Sequence, residues 1–188
     1  MKKYLGLIFG ASILMFPAFL FASDNFEINF APLAGYEQVQ KTSPYQYSVN
    51  RFVYGGRVII GLFLFSAEAE YLHGTDSETF ASQNLSTTDV DDEFKVGLRS
   101  NISLGHVLSF YVRAGGQGLQ NKHTDTTAGV STTTTQPITY SPYAGAGLRV
   151  RLSSHFHLTG DFTMVFVNFP SFAYNNYQAL GGIVLEIP

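Results

Sequence analysis

Apolar and polar residues alternate with a period of two along most of this chain. In Phe94-Lys95-Val96-Gly97-Leu98-Arg99-Ser100-Asn101-Ile102 every second residue is apolar or small, and Lys95 and Arg99 lie between them. Phe65-Ser66-Ala67-Glu68-Ala69-Glu70-Tyr71 repeats the pattern with two glutamates, and Ala146-Gly147-Leu148-Arg149-Val150-Arg151-Leu152 with two arginines. A two-residue period is that of a β-strand with one apolar and one polar face. The polar face carries glycines and charges of both signs, whereas the apolar face is continuous and ends in aromatics. That suits a barrel that is wet inside and apolar outside.

Read this way, the chain contains eight strands. They span Asn25–Glu37, Asn50–Leu62, Phe65–Gly74, Glu93–Leu104, Val107–Leu119, Thr139–Leu152, His155–Val167 and Tyr177–Ile187. Tight turns at Phe63-Leu64, Gly105-His106 and Ser153-Ser154 alternate with polar loops at Gln38–Ser48, Thr75–Asp92, Gln120–Pro137 and Asn168–Asn176. Strict alternation of short and long connections is the signature of an up-and-down barrel with periplasmic turns and extracellular loops. Tyr36, Tyr54, Tyr71 and Tyr177 fall near the loop end; Phe63, Phe65, Phe110 and Phe156 fall near the turn end. Both sets fit interfacial belts. The expected fold is therefore an all-β, eight-stranded antiparallel transmembrane barrel.

Composition supports this. Only 13% of the 188 residues are charged and 15% are aromatic; soluble domains average about 25% charged. No stretch beyond the N-terminus approaches the roughly 20 apolar residues of a membrane helix. Lys2 and Lys3 followed by apolar Leu5–Phe21 read as a signal peptide cleaved after Ala22, with Ser23 as the neighbouring choice, leaving residues 23–188 as the barrel. Its removal takes away two lysines, so the mature chain has nine basic and fourteen acidic residues, a net charge of −5. That charge argues against a nucleic-acid partner. With no cysteine, the sheet itself must supply stability. A lipocalin-type barrel would have the inverse polarity, and a tryptophan near its first strand; this chain has no Trp.

The segments Phe110-Tyr111-Val112-Arg113-Ala114-Gly115-Gly116, Glu68-Ala69-Glu70-Tyr71 and Tyr140-Ser141-Pro142-Tyr143-Ala144-Gly145-Ala146-Gly147-Leu148 resemble patterns of the small outer-membrane β-barrel family typified by the OmpA membrane domain and OmpX. The resemblance covers nearly all the mature chain and implies an outer-membrane location. One departure is the C-terminus. Members usually end in an aromatic read by the insertion machinery, whereas Ile187 stands at that place here.

The candidate site is the set of inward charges: Arg57, Glu68, Glu70, Lys95, Arg99, Arg113, Arg149, Arg151 and Asp161, with Glu27 and Glu186 towards the ends. An eight-stranded barrel is just wide enough inside for side chains to fill, so these charges must pair. Strand adjacency places Arg57 and Arg99 on either side of Glu68 and Glu70, and Asp161 beside Arg149; Arg99 and Arg113 are expected to be neutralised mainly by Glu68 and Glu70. Gly97, facing in, is expected to tolerate serine. His155 and His157 share a strand face but lack further ligands for a metal; they and His106 read as turn residues. The acidic run Asp89–Glu93, with Asp76 and Glu78, lacks the order of a calcium loop and reads as a solvated loop. Outer-membrane lipid-A deacylases resemble this chain in size and carry a His-x-Ser pair. Here His106-Val107-Leu108-Ser109 has the wrong spacing.

The sequence thus points to a non-catalytic integral barrel, structural or surface-interacting, needing no cofactor or metal. Its expected partners are the bilayer with its lipopolysaccharide and an extracellular ligand at the loops, and it is expected to be a monomer. The alternative is a narrow pore for small solutes or ions.

Overall fold

A computed structural model describes residues 26–41, 46–62, 64–81, 84–127, 129–170 and 174–187. The signal-peptide reading and the Phe63 turn position lie outside them. The strands are β1 Phe26–Lys41, β2 Tyr47–Leu62, β3 Phe65–Phe80, β4 Leu85–Ser103, β5 Leu108–Thr127, β6 Val130–Thr135, β7 Thr139–Arg151, β8 Phe156–Val165 and β9 Asn176–Ile187. All pairings are antiparallel. The ring runs β1-β2-β3-β4-β5-β7-β8-β9 and closes between β9 and β1. Closure pairs the backbone without leaving a sheet edge inside the bilayer.

Strand β6 is the upward continuation of β7. Thr139 of β7 faces Leu119, and Thr135 of β6 faces Lys122 on the same strand β5. Gln136-Pro137-Ile138 breaks the ladder because proline has no N–H and a fixed φ; Gln136 N still donates to the Asn121 carbonyl at 2.8 Å. The barrel therefore has the eight strands the sequence implies.

The strands nevertheless run well past the expected loop boundaries. Residues 75–80 of β3, 85–90 of β4, 122–127 of β5 and β6 form one four-stranded polar sheet beyond the barrel. There the inward face packs polar groups such as Asp76 and Asp89 against Lys41 and the outward face is polar too, so no apolar alternation is required, and β-branched threonine favours extended backbone. Polar composition alone had suggested loops.

The outward face is apolar. Val96 is 66% and Leu98 60% exposed, and Phe30, Phe52, Val112, Leu148, Phe162 and Ile183 are likewise exposed. At the loop end Tyr36, Phe52 and Tyr54 contact one another with ring centroids 5.8 and 6.3 Å apart, and Tyr71 lies 5.0 Å from Phe94. At the turn end Phe65 and Phe156 are exposed. The lumen is not uniformly polar. Ala31, Leu33, Val53, Leu72, Leu180 and Val184 form a buried apolar cluster. Glycines opposite give them room: Val53 faces Gly35 and Gly74, and Leu72 faces Gly55.

Candidate functional site

The period-two alternation projects the inward charges into the lumen, where they stack in tiers. Arg57 of β2, Glu68 and Glu70 of β3, Lys95 of β4, Arg113 of β5 and Asp161 of β8 make the middle tier. All are buried. Arg57 reaches Glu70 at 2.5 Å and Asp161 at 2.9 Å. Arg113 reaches Glu68 at 2.6 Å, Glu70 at 2.9 Å and Asp161 at 3.4 Å. Lys95 contacts Glu70 at 3.1 Å and Glu93 at 2.8 Å. The Tyr111 hydroxyl donates to Asp161 and that of Tyr143 to Glu68, each at 2.9 Å. Three cations thus face three carboxylates of this tier, each held by more than one contact. Such multiple bonding offsets the desolvation cost of burying ions.

The next tier outward centres on Arg51. It contacts Glu37 at 2.5 Å, Glu93 at 3.1 Å and Asp91. Gln178 donates to Glu37 at 2.9 Å and to Glu93 at 2.7 Å. At the outer rim Lys41 pairs with Asp76, with Asp89 at 2.7 Å and with Glu78 at 3.6 Å. His123 lies 2.7 Å from Asp89 and 3.0 Å from Asp125. Partial burial opposes the charge on His123, but the hydrogen bond to Asp89 and both carboxylates raise its pKa. Burial likewise opposes ionised Asp89, yet hydrogen bonds from Lys41, His123 and Asn121 lower its pKa.

Towards the turn end, Arg149 contacts Glu186 at 2.9 Å and Glu27 at 4.0 Å, and His157 also meets Glu186 at 2.9 Å. These residues and Arg151 line a vestibule of about 250 Å³.

Several sequence-based placements need correction. Arg99 meets neither Glu68 nor Glu70 at ion-pair distance. Its guanidinium lies 3.4 Å from the Tyr111 ring centroid and its Nε donates to Asn101 at 2.9 Å. Arg113 of β5, not its β4 neighbour, reaches the two β3 glutamates. Asp161 pairs with Arg57 and Arg113 rather than Arg149, because Arg149 faces Thr159 while Asp161 faces Gly147. Arg151 is exposed and donates to the Ser153 carbonyl at 3.3 Å, so it is outside the buried network. The acidic run is no solvated loop. Asp89, Asp91 and Glu93 are buried on β4, whereas the alternate residue Asp92 faces out to Tyr71 at 2.6 Å and His73 at 2.9 Å. Asp76 is buried too. His157 is a buried lumen residue rather than a turn residue. Gly97 has no room for serine, since a Cβ there would stand 2.3 Å from the Tyr143 hydroxyl. Among the described residues, no group of three His, Cys, Asp or Glu side chains is placed to hold a metal.

A closed eight-stranded barrel, apolar outside and charged within, is the architecture of small outer-membrane β-barrel proteins. Solved structures with this fold include Neisserial surface protein A, at TM-score 0.63 and 8% identity, covering 87% of this chain and 98% of that one. Ail, the attachment invasion locus protein of Yersinia pestis, solved in complex with the heparin analogue sucrose octasulfate, gives TM-score 0.57 and 13% identity over 86% of this chain and 99% of that one. The N-terminal β-barrel domain of Pseudomonas aeruginosa OprF gives 0.57 and 12% over 87% and 98%. No protein-family model matches the chain. No curated protein matches it either.

Proposed function

We propose that the chain is a non-catalytic integral outer-membrane protein in which a closed barrel anchors a surface-exposed sheet that meets an extracellular polypeptide. The observation that carries this reading is strand β6. Its six residues, Val130–Thr135, are all exposed, and among the described residues it pairs with β5 alone. An exposed, uncharged strand edge is a template for adding another strand. In this reading the bilayer and its lipopolysaccharide surround the barrel, one chain completes it, and the middle tier closes the lumen. The pore reading has less support, because Arg57, Arg113, Glu68, Glu70 and Asp161 fill that level with buried, mutually bonded side chains.

The likeness to an attachment protein supports a surface role. Polyanion binding of the sucrose octasulfate kind suits this chain poorly: Lys41 at the rim already faces Asp76, Glu78 and Asp89.

The native chain lacks cysteine, so orientation can be tested with single thiols. Thr133→Cys should react with a membrane-impermeant maleimide on intact cells, and Ser154→Cys only after lysis. The reverse pattern would contradict the reading. Thr132→Pro should reduce attachment of expressing cells to an epithelial monolayer without changing barrel folding; unchanged attachment would remove the edge strand from the proposal. In planar bilayers the protein should be electrically silent, and steady single-channel steps would favour the pore.

A further inference from the structure

Arg99 stands apart from the other lumen cations. Arg51, Arg57, Lys95, Arg113 and Arg149 each have a carboxylate within 4.0 Å, whereas none lies that close to Arg99 among the described residues. It is nevertheless only 2% exposed. Tyr111 covers one face of its guanidinium and Asn101 takes the Nε proton. Its Nη1 and Nη2 are fully enclosed, with no hydrogen-bond acceptor among the described residues. An ion buried in this way retains an uncompensated desolvation cost.

Both facts meet in one small cavity. Arg99, Ser66, Asn29, Asn101, Glu27 and Arg149 are among the residues that line it, with about 10 Å³ open to the centre of a water-sized particle. That is room for one particle about the size of a water molecule, not for phosphate, sulfate or a carboxylate. Ser66 is buried and its hydroxyl also has no hydrogen-bond partner among the described residues, which leaves it able to donate into the same space. Glu27 is turned towards Asn29, whose amide donates to it at 3.3 Å.

We infer that Arg99 and Ser66 form a binding site for one small monovalent inorganic anion of the halide class. Local charge agrees. Arg149 already meets Glu186 at 2.9 Å, whereas no carboxylate among the described residues lies within ion-pair distance of Arg99. Access agrees as well. Arg149 and Glu27 line both this cavity and the open vestibule that Arg151 and Glu186 border, so an anion entering from the turn side passes Arg151 and then the Arg149 cluster, whose charge Glu27 and Glu186 offset. The site holds whether the barrel is an anchor or a conduit.

The test uses the full chain refolded in detergent, with sodium chloride, bromide or sulfate at equal ionic strength. The thermal midpoint of the wild type should rise saturably with chloride and bromide and not with sulfate. Arg99→Met should abolish that halide response. Ser66→Ala, which keeps the guanidinium, should raise the halide concentration for half-response severalfold and keeps the proposal testable where Arg99→Met fails to fold. Crystals grown in bromide should show an anomalous peak within hydrogen-bond reach of Arg99 and Ser66. Equal midpoints in halide and sulfate, an unchanged half-response in Ser66→Ala, or ordered water in place of the bromide peak would each overturn the inference.

Discussion

Glu70→Gln tests the lumen network at its most connected point. Glu70 accepts Arg57 at 2.5 Å, Arg113 at 2.9 Å and Lys95 at 3.1 Å. The amide keeps one acceptor oxygen and nearly the same volume, so packing is preserved while one negative charge is lost among three cations. Removing one partner of a buried ion pair costs about 3–5 kcal/mol, and the retained acceptor places this change near 3 kcal/mol. With a urea slope of about 1–3 kcal/mol per molar, the unfolding midpoint should fall by about 1–3 M. Tyrosine fluorescence of the barrel in lipid vesicles reads it, since the chain has no Trp. Asp125→Asn is the control, because its side chain is 47% exposed. Asp76 cannot serve, being buried against Lys41. Adding Lys95→Met to Glu70→Gln restores neutrality while Glu93 keeps Arg51 at 3.1 Å, so the double variant should be more stable than the sum of the singles by about 0.5–3 kcal/mol. If Glu70→Gln unfolds at the wild-type midpoint and remains non-conducting, the lumen is hydrated enough to screen its charges and the buried-network account fails.

Three further outcomes follow from the same geometry. Leu98→Arg, on the lipid face, should destabilise by about 2–4 kcal/mol near the bilayer midplane, measured by the same urea titration; wild-type stability would mean the β4 register is wrong. Gly97→Ser should cost about 1–3 kcal/mol through overpacking, because its Cβ meets the Tyr143 hydroxyl and the Ala114 carbonyl at 2.3 and 2.4 Å; Tyr143→Phe in the same chain should relieve little, since the carbonyl remains. His123, with a raised folded pKa, should stabilise the outer sheet fully below its ordinary value of 6.5 and lose that contribution as pH rises through the raised value. Amide exchange at 122–127 should therefore speed up with pH beyond its intrinsic base catalysis, and His123→Gln should remove the excess.

Much of the fold was legible because lipid imposes a strict rule on each strand. Phe94, Val96 and Leu98 had to face one way and Lys95 and Arg99 the other, and the structure keeps that register. The rule lapses above the aromatic belt, so the outer halves of β3, β4 and β5 looked like loops. The signal for them was present: Asp89, Asp91 and Glu93 continue the spacing of Lys95, as lumen residues of one strand must. Which charge meets which was not legible. A pairing such as Arg57–Asp161 links β2 to β8 across the lumen, and such contacts depend on strand tilt and side-chain reach rather than on sequence neighbours. Tyr111 and Tyr143 share this origin. Their hydroxyls complete the carboxylate shells of Asp161 and Glu68 only because Gly147 and Gly97 leave them space.

The central claim is a closed sheet embedded in a membrane, and gel mobility of protein extracted from cell envelopes tests it most directly. A barrel with no open edge in the bilayer gives detergent nowhere to begin unfolding. Unboiled protein in SDS should therefore migrate at a different apparent mass from boiled protein. Identical migration of the two samples would contradict the closed barrel.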